Sequence, residues 1–339
     1  MNPLSKSRIS IKLKSASLED VEAYLIYRDW LSEGDRVQSI ESAGEGNMNV
    51  TLRVRTQNSA LVLKQSVPFV ARYPEIPAPQ DRVIREARFY QMVYPYPHVA
   101  GSMPDLLGLD VMERVAAFSD LGPTADLSRI YRQNSARDLQ SIVDVAGWLR
   151  ALHEIPFNEE EQQTLTNRDM RMLNYEHMFD FPLRPNNGLN LNSITPGLRD
   201  LALNLIRDRA FCRQIRKLGD IYLEDGPTLL HGDAFPGSFL TTPEGIKAID
   251  PEFAFFGRAE FDVGVMGAHL VLAWPNTVSI EDWLQMYGRL DVLDVSLTRA
   301  FAGMEVMRRL IGIAQLPLRR SINEKKSSLD WARKQVLAW

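Results

Sequence analysis

The segment from His231 to Glu252, HGDAFPGSFLTTPEGIKAIDPE, constrains this chain more than any other. Two short apolar stretches, Ser238 to Thr241 and Ile246 to Ile249, flank Thr242-Pro243-Glu244-Gly245. Proline presets φ there and glycine supplies the freedom a tight turn needs, so the pattern predicts a β-hairpin. Folding it back brings Asp233, in a His-Gly-Asp turn, near Asp250, which ends an apolar strand; Glu252 follows two residues later. Two carboxylates held close repel each other unless a cation lies between them. Mg²⁺ suits that position, because it takes a few carboxylates together with phosphate oxygens. Phosphoryl transfer also needs one carboxylate to orient and deprotonate the acceptor hydroxyl. Each acid alone reads first as a turn former or a helix cap; the arrangement as a whole points to phosphoryl-transfer chemistry.

Composition sets the frame. The 339 residues exceed one small domain and suit two lobes. Apolar residues make up 45% and charged residues 24%, as in ordinary globular chains. The net charge of −4 gives no general electrostatic case for nucleic acid or an anionic membrane as partner. Cys212 is the single cysteine, which excludes a disulfide framework and a thiolate metal cluster. The N-terminus has no long apolar run, and no stretch approaches the ~20 apolar residues of a membrane span. A cytoplasmic protein is expected.

Along the chain, residues 18–31 have helical apolar spacing. Strand patterns follow at 37–42, 50–54 and 60–64, then a four-proline segment, 67–81, that reads as a loop. A helix is expected over 80–93 and a strand pair over 107–112 and 115–118. Beyond residue 121 the pattern turns helical, at 139–153, 198–222, 263–274, 280–290, 294–314 and 323–339. The expectation is an α+β chain with a β-rich N-terminal lobe, 1–121, and a mostly α-helical C-terminal lobe, 122–339.

Further candidates lie outside the hairpin. Glycines in the Gly44–Asn49 loop (Gly44, Gly46, Asn47, Asn49) would let backbone N–H groups approach phosphates, although a tight turn explains GEGN equally well. Lys64 ends an apolar strand and needs a partner or solvent; Glu86 on the next helix could supply one. In Arg308-Arg309 one arginine is expected to face solvent, while the other points about 100° away toward the apolar side, where it would suit anionic oxygens or polyol hydroxyls. His153 reads as a packed helix-end residue and His269 as a satisfied core histidine.

Together these pieces resemble the aminoglycoside phosphotransferase and choline kinase group of small-molecule kinases, and within it the methylthioribose kinase family. The resemblance rests on GEGNMNV with LVLKQSVPFV, on HGDAFPGS, on DPEFAFFGRAEFDVG, with Asp-x-Glu in place of Asp-Phe-Gly, and on EVMRRLIGIA. It implies a protein-kinase-like two-lobe fold, with ATP and Mg²⁺ as cofactors and a small-molecule hydroxyl acceptor, 5-methylthioribose-like first among the candidates. Asp233 would be the catalytic base, and Asp250, Glu252 and Ser238 the metal ligands. Lys64, Glu86 and the Gly44–Asn49 loop would bind ATP phosphates, and Ser119, Asp120 and Leu121 would meet adenine. Arg308 and Arg309 would face the sugar. Asp262 would cap a helix starting at Val263 and brace the His-Gly-Asp loop. A homodimer also follows from the relatives. The chain departs from the family pattern at Ala234-Phe235-Pro236 and at 72–79, which lacks the family's tryptophan. Other acceptors (an aminoglycoside, an amino alcohol, another sugar) and a nucleotide-binding regulatory module remain alternatives.

Overall fold

The structure, a computed structural model, describes residues 9–44, 48–132 and 138–339. It divides into two compact units, Met1–Pro123 and Thr124–Trp339.

The first unit is built on a five-stranded antiparallel sheet in the order Val37–Ser42, Val50–Thr56, Ala60–Gln65, Val115–Ser119, Leu106–Asp110. Side chains alternate across a strand. Leu61 and Leu63 therefore join Val54, Val115, Ala117, Tyr24 and Leu25 in one core, while Lys64 on the central strand points to the other face. Helix Leu18–Tyr27 covers the core face and starts with a capping box between Ser17 and Asp20. It ends earlier than its apolar spacing suggested, because Asp29 takes a left-handed backbone (φ 56°). Helix Arg82–Val93 supplies the partner side of Lys64. The proline-rich segment is not wholly loop. Phe69–Val70 pairs with Tyr73–Pro77 in a two-stranded ribbon, where edge positions tolerate prolines.

The second unit is mainly helical. Helix Glu260–Ala273 is buried along nearly its whole length, so it is apolar on all sides rather than amphipathic. It packs against helix Val295–Ile311, with Gly264 at the crossing. The helical stretch expected over 198–222 is two helices, Leu198–Arg207 and Arg209–Leu223. Asp208 breaks it by accepting hydrogen bonds from the Ala210 and Phe211 amides (3.0 and 3.1 Å), because an N-cap aspartate starts a new helix more readily than it continues an old one. The hairpin forms between Phe239–Thr242 and Gly245–Ala248, and Ala125–Asp126 adds a third strand. Among the described residues no helix is long and apolar enough to cross a membrane.

A Cβ on Gly264 would lie 2.6 Å from the Thr298 carbonyl oxygen and 2.8 Å from Phe301 Cβ, whereas one on helical Gly147 would meet nothing within 4 Å. Gly264→Ala is expected to destabilise the fold by about 1–3 kcal/mol through overpacking. Gly147→Ala should be neutral or stabilise by roughly 0.5–1 kcal/mol through helix propensity. Denaturant unfolding of the two variants checks the contrast; equal midpoints would refute the close crossing.

Candidate active site

The His-Gly-Asp loop leaves strand Thr228–Leu230 and is held by Asp262. The fully buried Asp262 carboxylate accepts the His231 amide at 2.7 Å and the Gly232 amide at 3.1 Å. His153 Nε2 lies 3.3 Å from the same carboxylate, and its Nδ1 lies 3.0 Å from the Tyr287 hydroxyl. His153 is therefore a packed helix-end residue with a bracing duty. Asp262 braces the loop but does not cap the helix. The helix begins at Glu260, so Asp262 falls in its first turn, and its carboxylate is spent on the loop. The His231 ring closes the loop from inside. Nε2 meets the Ile249 carbonyl at 2.9 Å and so carries the hydrogen, which leaves Nδ1 to accept the Asp233 amide at 3.3 Å. Gly232 has φ 81°, and a Cβ there would sit 2.1 Å from the Phe253 carbonyl oxygen. Only glycine lets the turn after Asp250 press this close to the turn bearing Asp233.

Ser238 and Asp250 flank the hairpin, and Glu252 follows it. Ser238 ends a short 3-10 turn rather than starting the strand; its hydroxyl donates to the Asp233 carbonyl at 2.7 Å, and its carbonyl accepts the Ile249 amide at 2.9 Å. Asp250 comes next and adopts a left-handed backbone, φ 64° and ψ 44°. Such a conformation costs a non-glycine residue free energy of order 1–3 kcal/mol and marks functional turns. Glu252 is buried, and its carbonyl, with that of Ala254, accepts the side-chain amide of Asn167 (both 2.9 Å). Among the described residues no group of three or more His, Cys, Asp or Glu side chains is arranged to hold a metal ion. Asp250 and Glu252 carry carboxylates and Ser238 a hydroxyl, so the three candidates offer oxygen donors only. Such a set suits Mg²⁺, which leaves the remaining positions to water and phosphate.

Beside Asp233 lies a buried polar cluster. Neither Arg308 nor Arg309 faces solvent; they are 6% and 7% exposed, contrary to the expected split. Glu305, one helical turn earlier and fully buried, takes both, pairing with Arg308 Nε through Oε2 and with Arg309 Nε through Oε1 at 2.7 Å. Glu305 Oε1 also accepts from His269 Nε2 at 2.9 Å, and His269 Nδ1 meets the Tyr131 hydroxyl at 2.6 Å. Burial pushes His269 down to about 4, so the ring is neutral. Its Nε2 then donates to Glu305, and its Nδ1 accepts from Tyr131. Burial opposes ionisation of Glu305, but Arg308 and Arg309 overcome this and hold it well below the usual carboxylate range. The Phe235 ring covers the Arg309 guanidinium at 5.0 Å and lies 5.5 Å from the His269 ring. The Nη groups of Arg308 have no hydrogen-bond partner among the described residues. Asp233 is partly buried. Desolvation raises its pKa above the ordinary value, opposed by Arg309, Arg308 and His231.

In the first unit Lys64 Nζ and Glu86 Oε1 form a buried ion pair at 2.6 Å, with Lys64 also over the Phe118 ring at 5.5 Å. Gly44 has φ 75°, which suits glycine; Gly46 and Asn47 lie outside the described residues. The Asn49 side chain is turned inward. Its Oδ1 accepts from Ser66 Oγ at 3.2 Å, and Ser66 in turn accepts the Val83 amide at the start of helix Arg82–Val93. Asn49 thus ties the end of the glycine loop to that helix through Ser66. The Asp120 carboxylate accepts from Arg53 and from the Gly122 amide (3.1 and 3.2 Å), and Ser119 Oγ accepts the Asp105 amide at 2.8 Å. These side chains shape the segment 119–121, whose Ser119 and Asp120 amides are also taken, by the carbonyls of Asp105 (2.9 Å) and Ala60 (3.4 Å).

Sequence reading missed Glu305, Tyr131 and Asn167. Glu305 carried a signal, since an acid three and four residues before two arginines on an otherwise apolar helix faces both. Asn167 and Tyr131 carried none, because their partners are about 85 and 138 residues away.

The family model described as "Phosphotransferase enzyme family" matches residues 39–303. Methylthioribose kinase of Exiguobacterium sibiricum is 27% identical over 346 aligned positions, covering 88% of this chain and 86% of that protein. Among solved structures, spectinomycin phosphotransferase in complex with ADP and spectinomycin has a TM-score of 0.54 at 13% identity, covering 94% of this chain and 97% of its own. A choline kinase from Streptococcus pneumoniae has a TM-score of 0.52 at 14% identity, covering 95% and 99%. These likenesses show the protein-kinase-like fold. With the family model spanning most of its length, the chain belongs to the phosphotransferase enzyme family.

Proposed function

We propose that this protein is an ATP- and Mg²⁺-dependent kinase of a hydroxyl on a small, uncharged, sugar-like acceptor, with 5-methylthioribose the leading one. The observation that carries the acceptor class is the arginine pair beside Asp233. Two buried guanidiniums held by one glutamate leave the Asp233 side without the surplus of acids that a cationic amino alcohol or aminoglycoside needs, while arginine N–H groups suit polyol and phosphoryl oxygens. The likeness to methylthioribose kinase points the same way.

In this reading Asp233 accepts the proton of the acceptor hydroxyl as that oxygen bonds to the γ-phosphorus. The bond from the γ-phosphorus to the β,γ-bridging oxygen breaks, and its electron pair leaves with ADP. The raised pKa makes Asp233 a better proton acceptor than an ordinary aspartate. Lys64, oriented by Glu86, holds phosphate oxygens under the backbone of the Gly44–Asn49 loop. The backbone of Ser119, Asp120 and Leu121 receives adenine. Asp250, Glu252 and Ser238 hold Mg²⁺, which supplies charge neutralisation at the phosphates. Arg308 and Arg309 face the sugar and the transferred phosphoryl group. A β-rich nucleotide lobe, 1–121, a catalytic lobe, 122–339, a cytoplasmic setting and a homodimer complete the proposal; light scattering in solution reads the last.

Asp233→Asn should keep nucleotide affinity and lose turnover by ~10²–10⁴-fold; near-normal turnover would remove Asp233 as base. In the unaltered protein kcat/KM should fall on the acid side through a midpoint above the ordinary aspartate value of 3.8, because the base must be ionised. Asp250→Ala should weaken nucleotide binding in Mg²⁺ but not in EDTA, read by calorimetry; equal affinity in Mg²⁺ would defeat the metal role. ATP consumption with 5-methylthioribose, ribose, choline and an aminoglycoside should favour the first, and preference for either cationic acceptor would overturn the acceptor class.

A further inference from the structure

The second unit contains a cavity of about 730 Å³ that the proposed reaction does not use. Three arginines line it, Arg132, Arg319 and Arg320, against a single acid, Glu324. That acid is already committed. Its carboxylate accepts from the Ser321 amide at 2.8 Å and the Ser321 hydroxyl at 2.6 Å, closing the capping box of helix Ile322–Ala338. Among the described residues none of the three arginines forms an ion pair with a carboxylate. Arg320 is half-buried and fixed in place, with Nη2 on the Leu272 carbonyl and Nη1 3.5 Å from Ser328 Oγ. Burial works against its charge, only partly offset by Glu324. A desolvated guanidinium without a counter-ion is an electrostatic cost that a bound anion removes. The positive end of the 17-residue helix lies in the same wall, between Arg320 and Glu324, and adds to the positive potential.

We propose that this cavity is a binding site for a small organic anion, whose phosphate or carboxylate oxygens are gathered by Arg132, Arg319 and Arg320. Its size is that of an organic ligand rather than a bare ion, since such sites span about 300–1,000 Å³. Ala273, Pro275, Pro317 and Leu318 supply apolar wall for the body of the ligand. The site also has a physical link to the arginine pair. Tyr131 forms part of its wall, and the Tyr131 hydroxyl bonds His269, which bonds the Glu305 that holds Arg308 and Arg309. The anion is a separate effector, because the proposed acceptor is uncharged and presents its hydroxyl to Asp233.

The test is calorimetric titration of the full chain, saturated with Mg²⁺ and ADP to fill the nucleotide phosphate positions, with inorganic phosphate and then citrate at constant ionic strength. Saturable binding is expected, weakened at least tenfold in the double variant Arg132→Gln/Arg319→Gln, whose two exposed side chains can change without disturbing the fold. Absence of saturable binding of both probes to the unaltered protein, or equal affinity in the double variant, overturns the site. Binding is read without turnover, so this result stands apart from the acceptor assignment. A kinetic arm, which does rest on the proposed reaction, reads the effector role. A change in kcat without competition between phosphate and the acceptor supports it, and competition with the acceptor overturns it.

Discussion

The Asp262 carboxylate, buried and ringed by donors, is the interaction on which the site depends. A buried carboxylate is tolerated only when its lone pairs are satisfied. Two backbone amides of the His-Gly-Asp loop and the His153 ring do that here. The exchange works in both directions, because amides at a sharp turn away from water also need acceptors. Asp233 is thereby placed by backbone geometry set from a helix about thirty residues downstream. The near-contact of Gly232 with the Phe253 carbonyl then ties the turn of Asp233 to the turn of Asp250 and Glu252. A side chain at Gly232 would push these two turns apart.

Glu305 plays the corresponding part for the arginines. Burying two guanidiniums is costly, and one ionised glutamate offsets it by pairing with both through Nε while a neutral His269 completes its coordination. Holding Arg308 by Nε leaves its Nη groups for a ligand, while Arg309 also gives Nη1 to the Ala314 carbonyl at 3.3 Å. The same cluster accounts for Phe235, whose ring lies over Arg309 and beside His269. An aromatic face is a good neighbour for a guanidinium, so the Ala-Phe-Pro turn is part of this cluster rather than apart from it.

Much was legible because it is local. The hairpin followed from Pro243 and Gly245, and the Lys64–Glu86 pair from a charged residue on an apolar strand followed by an acid on the next helix. The errors arose where local patterns conflict with distant partners. Asp262 looks like an N-cap, yet its oxygens go to amides thirty positions away. Residues 198–222 have continuous helical spacing, and only the N-cap use of Asp208 shows the break. Arg308-Arg309 looked divided between solvent and core because adjacent helix positions point about 100° apart. A helix buried on both flanks removes that choice.

The sequence by itself determined the elements and the chemical inventory, meaning the sheet-then-helix order, the acids around one hairpin, the lysine with its glutamate and the arginine pair. Spacing and turn chemistry act over a few residues, and such information survives in a linear string. Tertiary structure alone decided which groups share a partner: Asp262 with two amides, Asn167 with the carbonyls of Glu252 and Ala254, and Glu305 with His269 and both arginines. Those choices depend on burial. Once water is excluded, every polar group must find a donor or acceptor in space, and the nearest one is set by packing rather than by position along the chain.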